Sequence, residues 1–578
     1  MKCAHPLCDQ RTNLHSVCLR TRNEILKNER IYIPKAVRVC PQHQGSQSWL
    51  ETPLNNMEFM YTGHQIEDMV DTLRSEAKIS RRNAPMLTSD LKSEIKRNTA
   101  LTYDQFEDLV TRLPSLPNSF ANVSRATTAL YMYLMKMRTG QPSDDIGNKF
   151  GITRVTVERQ ITKVREAMMT DFVHNHVNHI RSREDMIQAS TTMRRGLFSP
   201  DGIPRVMLNC DATYIFINKS RNYQFQKESY NDQKKRNFVK IMMVVTCDGT
   251  IVYALGPHKA LDNDAKIMKS ILEETDAFDH LENGDIFILD RGFRDCVPLL
   301  RSKGFDVKMP GLIQRSETKT QLSTAEANRS RLVTAIRFVI EVRNGHLKTI
   351  WKIFNATWNS LALKHLKNDI DICSALINYY FRSIESNRDI ADEIIDRMLN
   401  RMNSPNDLSK IINKSRFQNN MRQFEQFDDF DTLPTLTLKD LIFISLGKYQ
   451  IKQAASYCQE HMKQNDSEFA VFICPDEITR EFCQLFYMED NHPVLFFAKL
   501  SSRFRSVKKH QTYILIDSNG EGEHAILAYC CSCYNGLRTV GCCSHVMCII
   551  WFILHIKNRN IPRPAGFLDN YFDNPFED

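Results

Sequence analysis

The chain has 578 residues, 42% of them hydrophobic and 25% charged, the composition of an ordinary globular protein with roughly three or four domains rather than one core. That excludes a collagen-like or wholly disordered chain, and the longest apolar run, Val546 to Ile556, is too short to cross a bilayer. Seventy-six basic against 68 acidic residues give a formal charge of +8, which is compatible with a polyanionic partner and does not by itself indicate one.

The opening segment carries cysteine and histidine and lacks the apolar core of a secretion signal. Seventeen cysteines in an unsecreted chain point to thiols and metal sites rather than a disulfide framework, and to the cytosol and nucleus as the compartment. Within residues 1–48, Cys3-x4-Cys8 and Cys40-x2-His43 supply the four soft ligands that tetrahedral zinc prefers; Cys18, His5 and His15 are alternative ligands. Such a module would be an accessory DNA-binding or docking element. Residues 49–100 are polar, include Arg81-Arg82, and read as a linker with some helix.

Residues 101–195 read as helical, with helices over Tyr103 to Leu113 and Ser124 to Met137. Pro142 to Ile161 then has the shape of a helix-turn-helix. Ser143 would cap the first short helix, Gly151 would supply the left-handed turn and Thr153 would cap the second helix. Val157, Ile161, Val164 and Met168 recur at helical spacing and predict its buried face. Arg154, Thr156, Arg159, Gln160 and Lys163 are left outward as candidate DNA contacts. Arg154, Thr156 and Gln160 are the candidates for base edges, because recognition helices read bases with their N-terminal residues. A helical bundle that packs on its neighbour or makes a dimer fits the same pattern.

Residues 200–400 change character. Short β-branched and aromatic runs predict strands at 206–217, 238–247, 250–255, 285–290 and 305–309. Asp248-Gly249 forms a tight turn between the second and third. Helices are expected at 262–276, 294–303 and 323–350, and then in pieces to about 400. Three acids stand out: Asp211 inside the first apolar run, Asp290 closing the fourth, and Glu341 on the long helix. A carboxylate ending a hydrophobic strand is costly to bury alone, whereas three that converge can hold divalent metal for attack on a phosphodiester. Lys234, Lys235 and Arg236 lead into the second strand and are candidate phosphate contacts. Glu326, Asp262 and Asp264 are rival acids.

The β-β-β-α-β-α-β-α order resembles the RNase H-like fold. The blocks Cys210-Asp-Ala-Thr213, Ser229 to Lys240, Leu289-Asp-Arg-Gly-Phe293 and Arg337 to Glu341 with Gly345-His-Leu-Lys348 resemble those of PIF/Harbinger-type DDE transposases, over roughly residues 120–385. Ala212 and Arg291 depart from the small residues common at those positions. The resemblance implies that Asp211, Asp290 and Glu341 are catalytic and hold two Mg²⁺ or Mn²⁺ ions. It places Asp264 as a supporting acid rather than a ligand.

Residues 401–436 are polar and read as a second linker, followed by a C-terminal α+β domain over 437–560, helical from Thr437 to Met462, and a tail at 561–578. Cys531-x-Cys533, nine residues and Cys543-x-His545 follow three strand-like segments and precede an apolar helix, Val546 to Ile556. This resembles the SWIM zinc finger, with Cys530 and Cys542 as neighbours that could exchange into the ligand set. Zinc would supply folding energy to this segment, making two structural zinc ions in all.

The expected fold class is therefore mixed α/β: an RNase H-like catalytic domain, a helical helix-turn-helix domain and small zinc-binding modules at both ends. The resemblance implies a DNA transposase that binds terminal inverted repeats, cleaves element ends and joins them to target DNA in the nucleus. Its partners would be double-stranded DNA, a second copy of itself or a larger assembly, and a second element-encoded protein; no membrane is expected. A domesticated DNA-binding protein without cleavage activity and a metal-dependent endonuclease without strand transfer are the alternatives.

Overall fold

The computed structural model describes residues 2–5, 8–29, 31–45, 62–70, 91–178, 182–190, 196–199, 201–313, 319–384, 388–461, 470–487, 491–502 and 505–557. Most of the expected 49–100 linker, residues 191–195 and the 561–578 tail lie outside the described residues. The chain forms two compact units, Met1–His174 with Lys348–Ala356, and Asn175–Leu347 with Thr357–Asp578.

In the first unit, β1 (His15–Ser16) pairs antiparallel with β2 (Arg38–Val39), and α1 (Leu19–Glu29) lies between them in sequence. Their small core is Cys3, Val17, Ile25, Ile33, Val39 and Cys40. Farther along come α2 (Leu91–Thr99), α3 (Tyr103–Thr111), α4 (Val123–Thr139), α5 (Ser143–Phe150) and α6 (Arg154–Asp171). Gly151 ends α5 at φ +65, and Thr153 caps α6 by accepting from the Thr156 amide. Val157, Ile161, Val164 and Met168 are all buried. Ser143 does not cap α5: Pro142 holds the cap position, and the buried Ser143 hydroxyl instead binds Glu158, which Lys136 also neutralises at 2.9 Å.

The second unit opens with α7 (Arg183–Gln188), which anchors to the sheet through Arg183, so the helical domain expected to run to 195 gives up this segment. Strands β3 (Met207–Phe216), β5 (Arg236–Val245), β6 (Ile251–Lys259), β7 (Ile286–Ile288) and β8 (Asp306–Lys308) form the sheet, in the order β6-β5-β3-β7-β8, with the two-residue β4 (Tyr230–Asn231) also on β5. The first three strands are antiparallel; β3, β7 and β8 are parallel. The succession of these strands along the chain is the one expected from the sequence. Gly249 at φ +84 makes the turn between β5 and β6, a conformation that suits glycine.

Alternation along the strands assigns the two faces. Leu208, Cys210 and Ala212 join Ala265, Ile267, Met268 and Ile271 of α9 (Asp264–Glu274), which follows the short α8 (Tyr223–Ser229), and Leu300 of α10 (Val297–Ser302) in one core. Met207, Ile286 and Ile288 face the other way, onto Leu332, Val333 and Ile336 of α11 (Thr324–Ile350). With a period of two, Asp211 and Asp290 fall on the α11 face.

Then follow α12 (Leu366–Tyr380) and α13 (Arg388–Asn400). Residues 402–436, expected to be a linker, are instead folded. They contain α14 (Asp407–Ile412), α15 (Ser415–Asn420) and β9 (Glu425–Gln426), and bury Leu408, Ile411, Ile412, Phe417 and Phe424 in a core with Leu495, Phe497 and Leu515. The polar surface of this segment masked apolar residues at helical spacing. The expected helix over Thr437 to Met462 is two, α16 (Leu438–Ser445) and α17 (Tyr449–His461), broken where Leu446 takes a left-handed conformation at φ +52. β10 (Val471–Ile473), α18 (Asp476–Phe482), β11 (Pro493–Ser502), β12 (Arg505–Asp517), β13 (Ile526–Cys531) and α19 (Ser544–Ile550) complete the unit. Its second sheet is antiparallel, ordered β13-β12-β11-β10-β9.

Candidate active site and metal centres

Parallel pairing sets Asn209 opposite Ile288. Continued by two residues, that register brings Asp211 of β3 beside Asp290, which leaves β7 and caps the following 3-10 turn by accepting from the Gly292 amide at 2.7 Å. A side chain at Gly292 would meet the Asp290 carboxylate at 2.9 Å and that of Asp264 at 3.2 Å, so this glycine gives the two acids room. Asp264, at the start of α9, also takes an ion pair from Lys240 on β5 at 3.1 Å, while Lys240 donates to the Asp262 carbonyl at 2.7 Å. Asp264 is thus a member of the carboxylate cluster.

The electrostatics bear the cluster out. Burial pushes the Asp211 carboxyl up to about 7; the guanidinium of Arg337 opposes this, and the Asp290 and Asp264 carboxylates add to it. Tyr214, two residues along β3, is raised by burial and by the same three acids. Like charges crowded at a half-buried position are what a divalent cation would relieve. The oxygen-only donor set suits Mg²⁺ or Mn²⁺.

Helix α11 lays Arg337, Glu341 and Asn344 along one face. Asn344 donates to Asp211 at 3.1 Å. Glu341 is exposed and is engaged by Arg337, one turn before it on the helix. The rival Glu326 is occupied elsewhere: it closes a capping box with Ser323 at the start of α11. Asp262 pairs with Lys266 at 2.6 Å. Lys240, Arg337 and Asn344 escaped the sequence reading. For Arg337 and Asn344 the signal was their spacing of four before and three after Glu341 on a helix.

Lys234, Lys235 and Arg236 are exposed at the start of β5. Arg236 lies over the Phe216 ring at 3.9 Å and donates to Thr357; Lys234 lies over Tyr214 at 6.0 Å. On α6, Arg154 and Arg159 are exposed, Arg154 near Asp144 at 3.7 Å; Thr156 and Gln160 are half-buried. Lys163 is not free to face outward: its ammonium donates to the Ser119 carbonyl at 2.7 Å beside the Phe120 ring.

Among the described residues two groups have ligand atoms mutually within 4.8 Å: Cys3, Cys8, Cys40 and His43, and Cys531, Cys533, Cys543 and His545. The carboxylates are not gathered that tightly. In the first group His5 stacks on His43 at 4.0 Å without joining, and Cys18 bonds Thr21. In the second, Cys531 closes β13, Cys543 caps α19 and His545 lies on its first turn. Gly536 lets the turn close, since a Cβ there would strike the Cys531 carbonyl at 2.0 Å. Cys530 and Cys542 stay outside the set. Three thiolates and one imidazole are a tetrahedral zinc donor set in each case.

The second group is built into the surroundings of the acids. Gln321 donates to the carbonyls of Cys531 and Cys533 at 2.5 and 2.8 Å, and Asn328 of α11 accepts from the amides of Thr539 and Val540. Tyr534 bonds Gly311 and lies under Arg291, the residue after Asp290, at 4.7 Å.

Residues 210–378 match the family model of the DDE superfamily endonuclease, so the chain carries a DDE endonuclease domain that contains Asp211, Asp264, Asp290 and Glu341. No curated protein matches the chain. Among solved structures, the pre-cleavage Mos1 transpososome is 11% identical with a TM-score of 0.16, covering 43% of this chain and 75% of that one. The Mos1 transposase paired-end complex with left transposon end is 14% identical with a TM-score of 0.14, covering 44% and 80%. Among the described residues no helix is long and apolar enough to cross a membrane.

Proposed function

We propose that the chain is a DNA transposase of the PIF/Harbinger type that binds terminal inverted repeats, hydrolyses the phosphodiester at the element ends and joins those ends to target DNA. The observation that carries this reading is the approach of Asp211 on β3 to Asp290, which stands just past the end of the adjacent parallel strand β7, inside a DDE endonuclease match. Asp211, Asp290 and Glu341 are the catalytic acids, with Asp264 held beside them by Lys240. Divalent metal held there would stabilise charge on the attacking and leaving oxygens. Asn344 orients Asp211, and Arg337 holds Glu341 until the site is charged. Lys234, Lys235 and Arg236 would meet phosphates, and α6 would present Arg154, Arg159, Thr156 and Gln160 to the DNA groove. The two Cys/His groups hold structural zinc, the C-terminal one as a SWIM-type finger. Cutting two ends calls for at least a dimer, and the site of action is the nucleus.

Purified full-length protein, incubated with Mg²⁺ and DNA bearing the ends of its own element, should nick at the element boundary. Asp290→Asn should lower that rate by at least about a hundredfold. Specific binding by both forms with no nicking by either would instead favour a domesticated DNA-binding protein.

A further inference from the structure

Between α11 and the C-terminal finger runs a cleft of about 1420 Å³, lined by Glu341 and Arg337 of the helix and by Tyr534, Arg538 and His545 of the finger. That exceeds the roughly 300–1,000 Å³ typical of small-molecule pockets. Its charge is one-sided: Arg331, Arg337, Lys448, Lys452 and Arg538 line it, and among the described residues Glu341 is the only carboxylate that does. Three thiolates around a divalent zinc would leave one further negative charge at the finger end, and the bases still exceed it.

Arg331 and Arg538 are only 5% and 6% exposed, and each keeps a buried Nε–H without a partner among the described residues; Arg337 does so at Nη1. The Nη2 group of Arg331 donates to the carbonyls of Ser445 and Leu446 and to Gln450 Oε1. Three guanidinium charges held this close to the cleft with Glu341 as the carboxylate beside them give its walls a positive potential that an anion would relieve. Lys448 and Lys452 are exposed on the opposite wall, on and just before α17. Between them stands Tyr449, 64% exposed, and Phe338 is exposed on the α11 side. A basic groove with open aromatic rings is the arrangement that holds single-stranded nucleic acid, phosphates on the cations and bases on the rings.

We propose that this cleft takes a single-stranded stretch of DNA continuous with the strand at the acids, so that the finger acts as the far wall of an unpaired-strand channel. The inference rests on the reading of the chain as a DNA-cutting enzyme, and it adds a feature that cutting does not require. It also assigns the docking of the C-terminal finger on α11 a role in handling substrate.

The test uses the full chain carrying Asp290→Asn, with fluorescence anisotropy on two DNAs of one sequence, a blunt duplex and the same duplex with an unpaired arm. The armed DNA should bind at least about tenfold more tightly. Lys448→Glu with Lys452→Glu, both at exposed positions where folding is not at stake, should abolish that preference and make the salt slope of the arm's contribution shallower by about 1.4. Tyr449→Ala should cost about tenfold on the armed DNA. Equal binding of the two DNAs by the parent, or an undiminished preference in the charge-reversed variant, would overturn the proposal. So would displacement of the arm by a nucleoside triphosphate at equal phosphate concentration, which would make the cleft a small-anion site. Nicking by the protein with Asp290 intact, without arm preference, would sink the cleft and leave the nuclease standing. Arm preference without nicking would do the reverse.

Discussion

Asp285 and Asp290 stand at opposite ends of one strand segment, and Asp285 and Asp211 differ as much as two acids of one sheet can. The Asp285 carboxylate is fully buried and answered on every side. Arg183 donates both Nη groups at 2.6 and 2.8 Å, and the amides of Val206 and Glu282 donate at 2.9 and 2.8 Å. Asp211 accepts from the Asn344 side chain and the Ala212 backbone amide, has no ion pair among the described residues, faces two other carboxylates, and is pushed up to about 7. A carboxylate whose charge is compensated pins strands together. One whose charge is left over is unstable by itself and available to a cation. The fold thus separates holding from reacting within a few residues of sequence.

Breaking the structural side should have the larger effect. Asp285→Ala leaves Arg183 without its buried partner and should cost about 3–5 kcal/mol in urea unfolding; a loss under about 1 kcal/mol would deny the contrast. The reactive side should show itself through pH. The raised Asp211 binds its proton in the folded state where the unfolded chain has released it. Metal-free stability should therefore fall as pH climbs from about 4 to about 7 and level off above that. Thermal melting of Asp211→Asn should lack that decline, and added Mg²⁺ should raise the melting temperature of the parent at neutral pH but not of the variant. A decline of the same size in the variant would place the titration elsewhere. The smallest effect is expected from Asn344→Ala. Loss of one hydrogen bond should cost about 1 kcal/mol and drive the Asp211 carboxyl higher, read as weaker Mg²⁺ stabilisation at pH 7.

Much of this was legible in the residues. Strand alternation and turn residues foretold the strands of the first sheet and their succession along the chain, because each strand carries its own β-branched pattern and the Asp248-Gly249 turn is local. The ligand pairs Cys3/Cys8 with Cys40/His43, and Cys531/Cys533 with Cys543/His545, were legible because close spacing within each pair limits where the chain can take them. The closeness of Asp264 to Asp290 was not legible, since it depends on the bare Gly292 between them, nor was the hydrogen bond that Lys163 donates to the Ser119 carbonyl, because that carbonyl comes from a segment far off in sequence. Residues 402–436 passed for a linker because their polar face dominates the composition, while Phe417 and Phe424 find their partners Phe482 and Phe497 only after the chain has folded back.

By itself, then, the sequence determined the strands and helices that carry the acids, the two cysteine–histidine groups and the acids at the ends of apolar strands, since these depend on short-range periodicity and spacing. Tertiary structure alone decided which acids crowd together, that Arg337 engages Glu341 while Asn344 engages Asp211, and that the C-terminal finger packs on α11 with five bases and one carboxylate along the cleft between them. Those are properties of side chains brought together from distant positions, and charge compensation is settled only by what stands next to what in space.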